Sequence, residues 1–256
     1  MFTADVSFPL LAGEQEQQIE AALSLLSACY KNGQIAVDVW PMTIREGLLR
    51  TTLLIPDETA LDRRFSNRYA EEALTFLPMN GVGEPEISVY GFDPGSLPSC
   101  DCKGRTSLIL FTNYLTFESP VRCGDCFNPV PLYRIPTCSS GEHLDILHWR
   151  ADYKACDTLQ MHCTVGERFA EQQLYRHDSS LSERGREICH ELAKRTGQST
   201  HYYLHKSRGR STADERRRRC PNCEEDWLLA EAWHGLFEFR CDNCHLLSNI
   251  ACSLHR

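Results

Sequence analysis

Four cysteines have both the residue type and the spacing to hold a metal ion. Cys220-Pro-Asn-Cys223 is followed, after seventeen residues, by Cys241-Asp-Asn-Cys244. Each Cys-x-x-Cys pair forms a tight turn that aims two thiolates at one point, and zinc takes four such ligands in a tetrahedron. With four thiolates, no position is left for water or substrate, so the expected chemistry is structural support rather than turnover. Cys100-Asp-Cys102 and Cys123-Gly-Asp-Cys126 form a second set of two pairs. The Cys-x-Cys pair is the tighter and less usual of the two. This set could bind a second zinc, or it could be packing cysteines or a redox pair. A redox Cys-x-x-Cys sits at a helix N-terminus, where its thiol pKa is lowered. Phe127-Asn128-Pro129-Val130-Pro131 follows Cys126 instead, and two prolines so close together oppose a helix.

Other chemistries lack their signatures. There is no P-loop, no Gly-x-Ser-x-Gly, no His-Glu-x-x-His and no dinucleotide fingerprint. The Pro-Cys-x-x-Cys half of the zinc deaminase pattern is also missing, because Arg219 precedes Cys220 and Arg122 precedes Cys123. The sequence therefore predicts a non-enzymatic protein.

Lys206, Arg208, Arg210, Arg216, Arg217, Arg218 and Arg219 lie just before the Cys220–Cys223 pair. Residues 206–219 hold seven basic and two acidic groups. Arginine pairs with phosphate bidentately, so this run is a candidate nucleic-acid contact. Trp227, Trp233, Phe237 and Phe239 are candidate stacking faces for bases. Two observations oppose this. Residues 220–256 hold two basic and six acidic groups, a poor phosphate clamp, and the aromatics could simply fill the core of a small module. Residues 1–95 hold six basic and fourteen acidic groups. That acidic region could instead dock a basic protein partner, for example as an immunity protein neutralising a toxin.

The elements that must position these groups can be read from periodicity. In residues 1–95, strands are expected at Ala4 to Phe8, Ile35 to Trp40, Leu48 to Ile55 and Glu86 to Tyr90. Helices are expected at Glu14 to Tyr30 and Asn67 to Phe76. The order β-α-β-β-α-β suggests a ferredoxin-like unit. Residues 96–137 form a loop region around a strand at Ser107 to Phe117. Residues 138–205 are mainly helical, with capping boxes at Thr164/Glu167 and Ser180/Glu183 and a short strand at His201 to His205. Residues 206–219 read as a polar linker. Residues 220–256 form the last module, a hairpin turning at His234-Gly235 between the two knuckles. The fold class is α+β.

The 256 residues carry a net charge of -8 and fourteen cysteines, with no run apolar enough to span a membrane and no secretory signal. A cytoplasmic location follows, and in that reducing compartment cysteines bind metal or pack rather than pair. Cys29 and Cys189 fall on apolar helix faces and are expected in the core.

Three stretches resemble a known family. They are Arg122-Cys123-Gly124-Asp125-Cys126 leading to Val130-Pro131-Leu132-Tyr133; Ser179-Ser180-Leu181-Ser182 with Tyr202-Tyr203-Leu204; and Cys220 to Cys223, Trp227, Trp233-His234-Gly235 and Cys241 to Asn249. Together they resemble a bacterial family of uncharacterised zinc-ribbon proteins described as candidate nucleic-acid binders. The resemblance implies a zinc ribbon ligated by Cys220, Cys223, Cys241 and Cys244, and a bacterial cytoplasmic protein. It implies no mechanism.

Overall fold

Alternation of apolar and polar residues opens the first strand, β1 (Phe2–Pro9). Ala4, Val6 and Phe8 point inward and are at most 4 % exposed. Asp5 points outward, where its carboxylate accepts from Thr52 Oγ1 at 2.6 Å and the Tyr90 hydroxyl at 2.8 Å. The computed structural model describes residues 1–254, so the last two residues of the 220–256 module lie outside the described residues. It is a mixed α+β structure with two sheets. The chain divides into two units. Residues Met1–Ser99, Phe117–Ser119 and Asn128–Leu144 form the first, and Cys100–Thr116, Pro120–Phe127 and Asp145–Arg256 the second.

In the first unit, β1 is followed by α1 (Gln15–Lys31), β2 (Met42–Arg45), β3 (Leu48–Ile55), α2 (Arg68–Phe76) and β4 (Glu86–Phe92). The sheet runs β2-β3-β1-β4, every neighbour antiparallel. Helix α1 buries Ala21, Ala22, Leu25, Leu26 and Cys29 at helical spacing. Helix α2 starts at Asn67, whose side chain accepts from the Ala70 amide at 3.0 Å. One expected strand is displaced. Residues 35–40 are not a strand, and β2 begins at Met42. Pro41 cannot donate to a ladder and restrains Trp40, whose indole turns back to donate to the Val37 carbonyl at 2.8 Å. Ile35 and Ala36 are buried all the same, which explains their apolar pattern.

The second unit is a six-stranded sheet in the order β6-β5-β7-β10-β9-β8. Its strands are β5 (Ser107–Leu110), β6 (Val121–Cys123), β7 (Ser199–Leu204), β8 (Leu228–Trp233), β9 (Phe237–Cys241) and β10 (Leu246–Ser248). Central β7 is parallel to both β5 and β10. Between β6 and β7 come α3 (Leu144–His162), α4 (Glu167–Tyr175) and α5 (Ser180–Thr196). Tyr202 of β7 is fully buried between Gly185 of α5 and Trp149 of α3, whose ring lies 6.0 Å away. Ile109, Tyr203 and Leu247 form a second cluster with Phe237.

Several expectations need correction here. Strand β5 stops at Leu110 rather than Phe117. The cap of α4 is Gly166, not Thr164, and that of α5 is Ser179, whose hydroxyl accepts from the Ser182 amide at 3.2 Å. Residues 206–219 are not a plain linker, because Ser211 caps a short helix, α6 (Thr212–Arg216). The last module is not a free-standing hairpin, since β10 pairs with β7 and joins β8 and β9 to the sheet. Cys29 and Cys189 are buried, as their helix faces suggested. No helix among the described residues is long and apolar enough to cross a membrane.

Candidate metal centres

Both cysteine sets converge. In Cys100, Cys102, Cys123 and Cys126, and again in Cys220, Cys223, Cys241 and Cys244, the four Sγ atoms all lie within 4.8 Å of one another. The Sγ atoms of Cys223 and Cys241 are 3.6 Å apart. A tetrahedron with zinc–sulfur bonds of about 2.3 Å has sulfur–sulfur edges of about 3.8 Å. The all-thiol donor set and this spacing therefore fit one metal ion per centre.

The local backbone explains the convergence. Cys123 ends β6 opposite Leu108 of β5, and Cys241 ends β9 opposite Leu246 of β10. The Phe127 amide donates to the Cys123 carbonyl at 2.9 Å, and the Glu224 amide to the Cys220 carbonyl at 2.9 Å. The residue after each Cys-x-x-Cys pair is left-handed: Phe127 at φ 61°, Glu224 at φ 60° and His245 at φ 52°. None is glycine. A non-glycine residue in this region costs on the order of 1 kcal/mol. Three such residues at equivalent positions mean that all three pairs make the same turn, so Cys123–Cys126 is as true a knuckle as the other two. Gly124 is required by close approach, since a Cβ there would lie 2.0 Å from Ser107 Oγ.

Hydrogen bonds prepare several sulfurs for negative charge. The Cys102 amide donates to Cys100 Sγ and the Asp125 amide to Cys123 Sγ, each at 3.4 Å. The Asn222 side chain donates to Cys244 Sγ at 3.2 Å. The Glu225 backbone amide holds the Cys223 thiol below the ordinary range, while burial pushes Cys220 and Cys241 up. Four clustered thiols do not all ionise unaided, and a bound cation supplies the charge that lets them.

The two centres are in contact through the β8–β9 turn. His234 Nε2 lies 2.8 Å from the Gly124 carbonyl, inside the first centre's knuckle, and the imidazole stacks on Phe127 at 5.1 Å. Phe237, next on the hairpin, packs edge-on against Phe127 at 5.5 Å. At the second centre, Asp242 accepts from Arg240 at 2.6 Å and lies 3.4 Å from His201. Partners of this kind around a metal site are worth about 10- to 100-fold in affinity. His234→Ala is expected to speed metal loss from the first centre about tenfold and to leave the second little changed. Competition with a chromophoric chelator reads both phases.

The basic run is partly committed to the fold. Arg208 pairs with Glu167, Arg217 with Asp214 at 2.8 Å and Arg219 with Asp226 at 2.6 Å. Arg218 is a structural residue. It pairs with buried Glu215 at 2.9 Å, donates to the Asn249 carbonyl at 2.6 Å and covers the Phe239 ring at 4.2 Å. Lys206 sits over Tyr175 at 3.7 Å. Arg210 and Arg216 are exposed and make no ion pair among the described residues. Of the expected stacking faces, Trp227, Phe237 and Phe239 are buried and only Trp233 is partly accessible. The sequence placed His234 at the hairpin turn and Phe127 after its cysteine pair, but assigned neither them nor the other left-handed residues a role at a metal centre. Their only signal was position, directly after a knuckle or at the hairpin turn.

Three family models match, each described as a domain of unknown function: DUF8589 over residues 1–91, DUF2310 over 102–205 and DUF8594 over 209–254. An uncharacterised protein of Haemophilus influenzae is 31 % identical over 261 residues, covering 98 % of this chain and 98 % of its own. Another from the same organism is 38 % identical over 145 residues, 56 % of this chain and 70 % of its own. Two solved structures described as antibiotic biosynthesis monooxygenases also align. The one from Caulobacter crescentus has a TM-score of 0.28 and 17 % identity, covering 35 % of this chain and 87 % of its own. The one from Deinococcus radiodurans has 0.27 and 12 %, covering 41 % and 100 %.

Proposed function

Since the chain belongs to the bacterial family of the Haemophilus influenzae protein that it matches along nearly its whole length, we propose that it is a non-enzymatic protein held together by two structural zinc ions. Its C-terminal hairpin and knuckles form a zinc ribbon, and it binds nucleic acid or a nucleic-acid-associated complex. Zinc is favoured because thiolate-only tetrahedral sites suit it, and four sulfurs leave the ion no reactive position. The observation that carries the binding reading is the surplus of charge around α6. Seven basic residues there face four paired carboxylates, Glu167, Asp214, Glu215 and Asp226, an excess of three. An excess of this size supports a short contact with a few phosphates.

The expected result is therefore modest and measurable. In fluorescence anisotropy with short single-stranded and duplex DNA and RNA, affinity should fall with salt with a log–log slope of about -3 for duplex, from about 0.9 per neutralised phosphate. Arg210→Ser with Arg216→Ser should flatten that slope by about 2. No binding at low salt would overturn this reading. It would favour docking of a basic protein on the acidic first unit, whose residues 1–95 hold fourteen acidic and six basic groups.

A further inference from the structure

The first unit contains a cavity that neither metal centre uses. It lies between the sheet and α1 and holds about 230 Å³. Its floor is apolar, built from Val6 and Phe8 of β1, Leu26 and Cys29 of α1 and Leu53 of β3. Arg63, Glu84, Pro85 and Ile87 surround its mouth. Four residues, Arg63, Leu74, Glu84 and Pro85, are shared with a shallower outer groove of about 420 Å³, which offers an entry route.

Protein interiors are close-packed and seldom keep a void larger than one water. An apolar cavity of about 150 Å³, engineered in another protein, stays dry and takes up benzene. The cavity here is larger, and most of its lining is apolar. Gln34 and Ser66 are the uncharged polar side chains of its lining, and both ends of the Gln34 amide are engaged. Nε2 donates to the Ala60 carbonyl at 2.7 Å, and Oε1 accepts from Asn32 at 2.8 Å. Cys29 is buried, and burial pushes its thiol up to about 12, so it stays neutral and acts as soft apolar wall.

The mouth argues about charge. Arg63 is already clamped by both carboxylate oxygens of Glu71, at 2.7 to 3.1 Å. Glu84 stands beside it, within a strongly acidic unit. An anionic head such as a fatty-acid carboxylate would meet repulsion there.

We propose that this cavity is a binding site for a compact, uncharged, apolar molecule with an aromatic or branched hydrocarbon body of about six to twelve heavy atoms. The molecule enters past Arg63 and Glu84 and seats its body against Phe8, Leu26 and Leu53. Shape and burial provide the recognition, with no interior hydrogen bond.

Toluene is a suitable probe, with benzoate as its anionic counterpart. Methyl-labelled full-length protein, metal-loaded, should show saturable toluene-dependent shifts at Leu25, Leu26 and Leu53, and methyls of the second unit should not move. Benzoate at equal concentration should leave the same methyls unmoved. Leu74→Trp at the entrance and Cys29→Met in the wall narrow the space by different routes. Each should weaken toluene binding at least tenfold, with the far-UV circular dichroism retained. No methyl shift at toluene saturation would overturn the proposal. Benzoate binding as tight as toluene, or undiminished toluene binding in two folded variants, would also overturn it.

Discussion

Cys241→Ser is expected to halve the metal content, from two ions per chain to one, and to open the β7-β10-β9-β8 part of the second unit's sheet, while the first centre keeps its ion at β5 and β6. The reach of the effect follows from the pairing. Cys241 closes β9 against Leu246 of β10, β10 is the parallel neighbour of β7, and β7 carries β5 on its other side. A structural zinc contributes an apparent 10–16 kcal/mol in small zinc domains, as much as the roughly 5–15 kcal/mol net stability of an ordinary domain. Losing it should unfold the strands that depend on it, up to the edge of β5, which the first centre holds. Elemental analysis checks the stoichiometry. Native-state hydrogen exchange checks the reach, with amide protection lost through β7, β9 and β10 and kept in β1, β3 and β5. If β7 stayed protected, the hairpin would be an independent module after all. One metal per chain in the wild type would remove the first centre.

Gly185→Ala should destabilise the same unit by another route and leave its metal in place. A methyl group at this position would lie 2.1 Å from Cε2 and 2.7 Å from Cδ2 of Tyr202. The ring has no free path, being fully buried and packed against Trp149. Overpacking a tight core costs about 1–3 kcal/mol, and more where neither side can move. Thermal unfolding of the second unit should move down by several degrees, and metal content at low temperature should remain two per chain. The partner variant Tyr202→Leu makes room for the methyl. In the double variant the two costs should therefore sum to less than their separate values, which a double-mutant cycle measures.

Much of this was legible in the residues. The alternation in β1 and β3 and the apolar stripe of α1 fixed most of the first unit, because its core repeats at periods of two and 3.6. The eight thiols were legible because ligand spacing is local. What escaped was long-range or masked. Residues 35–40 hold the β-branched Ile35, Val37 and Val39, so they read as a strand, yet only Ile35 and Ala36 are buried and Pro41 moves the ladder to Met42. The partnership of β7 with β5 and β10 joins segments far apart in sequence, and no local pattern encodes it. The arginine run read as one feature although its members differ. Arg218 is packed against Phe239, while Arg210 and Arg216 face solvent, and that distinction depends on carboxylates such as Glu167 from elsewhere in the chain.

The place of β7 also sets an order of events during synthesis. Its two parallel neighbours are translated on either side of it, β5 well before and β10 well after. As β7 leaves the ribosome it can pair with β5, but its other edge stays bare until Leu246 to Ser248 have emerged. The four thiols of the first centre, Cys100 to Cys126, are complete before β7 emerges, when the second set still lacks all four of its cysteines. A nascent chain with access to metal would therefore load its centres in sequence, the first steadying β5 and β6 while the strand edge that β10 will cover waits exposed. Limited metal supply during translation would leave that edge open longest, which makes nascent-chain aggregation, rather than loss of the finished protein, the earliest consequence of metal shortage.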